Sequence, residues 1–132
     1  MPIVVEYLQS LSYQDQVDLR KIYRDAPAWL LPPFNDALQL IESCLEDHTL
    51  VTARLNDRLL GAARLQRHQA TWELSHLCVR AQTRRRGLAE RLVLDAQKAA
   101  RLAGCELRLL TPVAPPEVQA LAGKTQVSLL IS

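Results

Sequence analysis

Apolar positions along the chain change their period from one segment to the next, and the changes separate strands from helices. Residues 3–8 form a short β-branched run that reads as a first strand. From residue 12 the period lengthens. Val17, Leu19, Ile22 and Tyr23 recur as the apolar side of a helix ending near Arg24. Ser12 with Asp15 three residues on has the form of a capping box, and Pro27 lies just past the expected end. A second helix is expected from Asn35 or Asp36, with Phe34, Leu38, Ile41 and Leu45 at three-to-four-residue spacing.

Shorter periods follow. Two apolar runs, 48–55 and 58–65, flank Asn56-Asp57, residues that tolerate positive φ and so predict a tight β-hairpin. Residues 71–79 alternate strictly. Trp72, Leu74, His76 and Cys78 are expected on one face, and Glu73, Ser75, Leu77 and Val79 on the other. An arginine-rich segment then leads into Ala89, Leu92, Val93, Ala96, Ala100 and Ala103 at helical spacing, with Gly104 where a C′ glycine belongs. Residues 105–110 read as a strand of buried type, so this strand–helix–strand passage predicts a right-handed βαβ unit. Pro112, Pro115 and Pro116 break the chain before one or two helical turns over 117–122 and a final strand over 126–131. The pattern is that of an α/β fold.

Composition narrows the class. A chain of 132 residues fits a single domain, 1–132, and 48% hydrophobic with 23% charged residues is ordinary for a globular core. Aromatics make up 5%, so that core must be aliphatic. A net charge of +2 is no electrostatic footprint for nucleic acid. No apolar window is long enough to span a membrane, and the N-terminal residues lack the basic region of a signal peptide. Three cysteines, Cys44, Cys78 and Cys105, have no paired spacing, which predicts reduced, buried thiols in a cytoplasmic protein. His48 and His68 are expected at strand ends facing water, and neither stands at metal-ligand spacing from a cysteine, so no metal is expected.

The chemistry concentrates at the strand-to-helix junction. Leu77, Cys78 and Val79 end the third meander strand, and Thr83, Arg84, Arg85, Arg86, Gly87, Leu88, Ala89 and Glu90 lead into the helix. Unpaired amides and the macrodipole at a helix start, a tight glycine, a small residue and fixed arginine charge together form a cradle for a diphosphate. Arginines at a helix start oppose the dipole unless an anion compensates them. As a solvated loop or a nucleic-acid patch, the arginines would leave Gly87 and Ala89 without a role. Neither a P-loop nor a dinucleotide fingerprint occurs. Trp29-Leu30-Leu31 reads either as core or as an exposed patch for a ligand or partner.

The string Arg84-Arg85-Arg86-Gly87-Leu88-Ala89 resembles the Gln/Arg-x-x-Gly-x-Gly/Ala motif of the GCN5-related N-acetyltransferase (GNAT) superfamily. The resemblance implies a GNAT-like mixed, mostly antiparallel sheet flanked by helices and splayed between its fourth and fifth strands. It further implies that amides over Thr83 to Glu90 bind the pyrophosphate of acetyl-CoA (or CoA), and that the Leu77, Cys78 and Val79 backbone pairs with the pantetheine arm. More narrowly, Ala53-Arg54-Leu55-Asn56-Asp57-Arg58-Leu59-Leu60 and the Ser12, Asp15, Asp18, Leu19, Lys21, Ile22 pattern resemble the PanZ (PanM) family. That resemblance implies an acetyl-CoA-dependent partner of the aspartate decarboxylase zymogen, with Arg54 and Asn56 near the partner.

The C-terminal region is short against the superfamily pattern. Tyr7, Tyr13 and Tyr23 all lie near the start, so no tyrosine stands where many acetyltransferases carry the acid for the leaving thiolate. Glu73 and His76 are the candidate general bases, directly or through a water. Two functions follow as expectations: a ligand-sensing regulator of a protein partner, and an N-acetyltransferase acting on an amine.

Overall fold

A computed structural model describes residues 2–24, 26–81 and 87–132. The elements run β1 (Val4–Tyr7), α1 (Tyr13–Arg24), α2 (Ala37–Glu46), β2 (Leu50–Leu55), β3 (Arg58–Arg67), β4 (Thr71–Val79), α3 (Leu88–Leu102), β5 (Glu106–Thr111), α4 (Pro116–Thr125) and β6 (Ser128–Ile131). Six strands form one mixed sheet in sequence order. The pairings up to β4 are antiparallel, and β4–β5 and β5–β6 are parallel. Helices cover both faces, α1 and α2 on one and α3 and α4 on the other, each over its own apolar cluster.

Local chemistry explains the boundaries. The Ser12 hydroxyl accepts from the Asp15 amide at 3.1 Å and starts α1. The reciprocal half of the capping box is absent, because the Asp15 carboxylate turns to Arg54 instead. Asp36 caps α2 by accepting from the Gln39 amide at 2.8 Å. Asn56 and Asp57 both take positive φ, 53° and 65°, which matches the hairpin twist to the right-handed twist of its strands. Gly104 adopts φ 75° just past α3.

Three expected patterns are corrected. The buried side of α2 is Leu40, Ile41 and Cys44, whereas Leu38 is exposed. The α4 helix is ten residues long rather than one or two turns, because Pro116 sits in its first turn, where a missing N–H costs nothing. The even alternation of β4 breaks at a β-bulge, where His76 takes φ 55°. Beyond it the faces exchange. Leu77 and Val79 join Leu74 in the α3-side cluster, and Cys78 packs with the α1–α2 cluster instead of sharing a face with Leu74. Among the cysteines, Cys44 and Cys78 are buried and Cys105 is only partly so.

The seat of α3 positions the site. Leu88, Leu92, Val93, Ala96 and Ala100 are buried on it, and the alanines let the helix lie close to the sheet. Gly61 on β3 marks the closest approach. A Cβ there would stand 3.3 Å from both Leu92 Cδ1 and Val79 Cγ2. The β4–β5 ladder runs only from Thr71–Glu106 to Leu74–Leu109. Past that pair the two strands part, with the opening beside the start of α3.

Candidate functional site

A groove of about 450 Å³ runs along this opening. The end of β4 supplies one wall with Leu77, Cys78 and Val79, the first turn of α3 the floor with Gly87, Leu88, Ala89 and Glu90, and α4 the opposite wall. Gly87 is the N-cap of α3 with φ 80° and no side-chain cap, so no side chain of the cap residue takes up the first amides of the helix. Such amides, together with the positive end of the helix dipole, suit an anion. The rest of the groove is mostly apolar. Lys124 on α4 pairs with Glu90 at 3.1 Å across the groove.

A second cavity of about 600 Å³ shares Leu77, Val118 and Leu121 with the groove, so the two form one cleft across the parted strands. Its far wall comes from Trp29, Leu30, Pro32 and Pro33, the segment before α2. Leu30 is buried there and Trp29 is half-buried and packs on the α1–α2 cluster, so this run is both core and cleft wall.

The bulge on β4 aims Ser75 and His76 into this cavity. The His76 Nε2 lies 3.1 Å from the Pro32 carbonyl, and a carbonyl only accepts, so Nε2 carries the proton. Nδ1 is then the acceptor, and the Ser75 hydroxyl donates to it at 2.9 Å. Burial pushes the imidazole below its ordinary pKa. The Pro32 and Leu31 carbonyls oppose this, and the Arg64 guanidinium adds to it. His76 therefore stands neutral near pH 7, with its basic lone pair occupied by Ser75.

Tyr23 holds the bulge from the other side by donating to the His76 carbonyl at 2.7 Å. Burial, with Cys78 and Cys44 adding, raises the phenol well above its ordinary pKa, so it stays a donor. Tyr23→Phe is expected to strand that carbonyl at a cost of about 1–3 kcal/mol. Thermal unfolding should show a midpoint lower by roughly 5 °C or more. An unchanged midpoint would mean that another donor reaches the carbonyl.

Of the sequence-predicted residues, Leu77, Cys78, Val79, Gly87, Leu88, Ala89 and Glu90 line the groove and His76 lines the adjoining cavity. Thr83, Arg84, Arg85 and Arg86 lie outside the described residues. Glu73 precedes the point where β4 and β5 part, and its carboxylate pairs with His68 at 3.1 Å, so it lines neither space. Arg54 is committed within the chain, with Nε at 2.6 Å from Glu6 and its terminal nitrogens at 3.1 and 3.2 Å from Asp15. Asn56 sits exposed at the hairpin tip. The sequence reading missed Val118, Leu121 and Lys124 on α4, and Arg64 on β3. Pro115-Pro116 was the available signal for the α4 wall, since proline favours a helix start.

Among the described residues, no helix is long and apolar enough to cross a membrane and no cluster could hold a metal ion. The family model described as the acetyltransferase (GNAT) domain of PanZ matches residues 2–109. Two curated relatives are called "PanD regulatory factor". The one from Salmonella typhimurium is 38% identical over 93 residues and the one from Escherichia coli is 31% identical over 93, in each case 70% of this chain and 65% of the relative. The match thus spans less than two thirds of those relatives. An N-acetylglutamate synthase from Neisseria gonorrhoeae, solved with coenzyme A and N-acetyl-glutamate, superimposes with a TM-score of 0.69 at 19% identity, covering 94% of this chain and 28% of that one. This likeness establishes the GNAT fold.

Proposed function

Since the chain belongs to the PanZ family of GNAT domains, we propose that it binds acetyl-CoA (or CoA) in the groove beside α3 and in that state regulates a protein partner, the aspartate decarboxylase of pantothenate synthesis. The observation that carries this reading is the groove itself. It joins the open stretch of β4 at Leu77–Val79 to the uncapped start of α3 at Gly87. The diphosphate goes to the first amides of α3, with the neighbouring arginines Arg84, Arg85 and Arg86 as counter-charge. The pantetheine arm follows β4 past Val79 and Leu77, and the acetyl end reaches the cavity at Ser75 and His76.

Regulation is favoured over catalysis by the state of the groups at that end. The His76 lone pair is held by Ser75, and the Tyr23 hydroxyl, behind the bulge, lines neither space and is given to the His76 carbonyl. Neither is free to move a proton at the thioester without first breaking its bond. In this reading Asn56 at the hairpin tip meets the partner, and Arg54 holds the hairpin in place.

Co-purification of the host's decarboxylase on the immobilised chain, with and without acetyl-CoA, tests the proposal. Capture that depends on acetyl-CoA is the expected result. Capture unaffected by the ligand would remove the sensor. Release of free thiol from acetyl-CoA with a panel of amines at more than roughly 1 s⁻¹ would make the chain an acetyltransferase instead.

A further inference from the structure

The 600 Å³ cavity beyond the groove has one charged side chain among the described residues that line it, Arg64. Most of its wall is apolar, from Trp29, Leu30, Leu109 and Leu110. Arg64 is held in place on two sides. One terminal nitrogen pairs with Asp47 at 3.2 Å, and the guanidinium lies 5.4 Å from the centre of the Phe34 ring. Its Nε is buried and finds no hydrogen-bond partner among the described residues. A buried guanidinium N–H is rarely left unpaired, because it loses water without gaining an acceptor. The Asp47 carboxylate is half exposed, so it offsets the guanidinium charge only weakly. Arg64 stands opposite Ser75 on the strand paired with β4, and its charge helps to hold the neighbouring His76 imidazole below its ordinary pKa.

Gln66 lies two residues further along β3 on the same face and also lines the cavity, adding an amide donor beside the guanidinium fork. A cavity of this size suits a small molecule. Its walls call for an apolar body, and its one cation calls for an anion whose oxygens can accept from a planar donor fork.

We propose that this cavity binds a small-molecule carboxylate, with Arg64 as its counter-ion and the apolar body of the ligand against Trp29 and Leu109. The site goes beyond the cofactor reading and does not depend on it, because Arg64 lines only the cavity and not the groove. If both spaces fill at once, the acid lies next to the acetyl end. It then gives the chain a second input, a metabolite acid read alongside acetyl-CoA.

The test is calorimetry on the full chain, with and without saturating CoA, using 4-methylpentanoate and its amide as probes. The acid is expected to bind at least about tenfold more tightly than the amide, the weight of one charge-assisted contact. Arg64→Met should erase that preference and Arg64→Lys should keep part of it. Equal binding of acid and amide by the native chain, or no binding of either at millimolar concentration, would overturn the assignment without recourse to any variant. A short peptide with a free C-terminal carboxylate is the last probe. If it binds more tightly than the small acid, the occupant is a polypeptide end and the small-molecule assignment is wrong. Absence of CoA binding alongside acid binding would remove the cofactor reading and leave this one standing.

Discussion

Gly87→Glu is expected to abolish measurable binding of acetyl-CoA, a loss of at least about 100-fold or 2.7 kcal/mol. Gly87 caps α3 with φ 80°, and among the described residues beyond its chain neighbours a Cβ there would meet no atom within 4 Å. The new carboxylate is therefore free to fold over the helix start and accept from the amides that the diphosphate would use. It also sets a negative charge against the phosphates. The fold should survive, because strain in the left-handed region, about 1–2 kcal/mol, is partly offset by the new cap. Gly87→Ala separates the two effects, since it carries the strain without the charge. It should lower the thermal midpoint by a few degrees and leave affinity within about fivefold, under 1 kcal/mol. Calorimetry with acetyl-CoA reads both variants. Native-like affinity in Gly87→Glu would place the phosphates elsewhere.

Asp18→Ala should cost the most stability of any single change considered. Asp18 is 1% exposed on α1 and ties that helix to the β2–β3 hairpin. Its carboxylate accepts from Arg58 Nε at 3.0 Å, from the Leu59 amide at 3.1 Å and from Gln14 at 3.0 Å. Without it the buried Leu59 N–H has no acceptor and the guanidinium loses its partner. Breaking a buried pair costs about 3–5 kcal/mol. The Arg58 side chain is 44% exposed and can turn to water, so about 2–4 kcal/mol is expected. Urea unfolding would read the loss as a lower midpoint with unchanged slope. A midpoint equal to that of the native chain would contradict it.

Acid dependence follows from the same carboxylate. Burial alone would raise its pKa, but the hydrogen bonds from Arg58, Gln14 and Leu59 outweigh burial and hold it below the ordinary carboxylate value. A pKa depressed in the folded state stabilises fully above the unfolded value. That contribution is lost as pH falls through the folded value. Asp18→Asn removes it, so the variant should lose less stability than the native chain between neutral and acid pH. Parallel acid profiles for the two would show that Asp18 is not held ionised.

How much of this was legible depends on the range of the forces involved. The Asn56-Asp57 turn, the Ser12 and Asp36 caps and Gly104 could be read because each is decided by residues a few positions away. The α3 stripe was legible because the pattern of its own side chains fixes the face it buries. The acidic residues of α1 show the limit. Asp15 and Asp18 interrupt the apolar face, and nothing local says that Arg54 and Arg58 arrive from the hairpin to neutralise them.

The site divides in the same way. Adjacent residues are enough to predict a strand that runs through a glycine into a helix over residues 77–90, since helix amides, dipole and glycine belong to neighbouring positions. Tertiary structure alone decided that β4 bulges at His76 and turns Ser75 and His76 toward one cavity. The bulge exists because β3 offers one residue where β4 presents two, and Tyr23 from α1 then supplies the donor for the displaced carbonyl. The α4 wall, the Trp29 wall and the orphaned Arg64 nitrogen were equally out of reach of the sequence. Each depends on atoms far apart in the chain that meet only when helices close on both faces of the sheet.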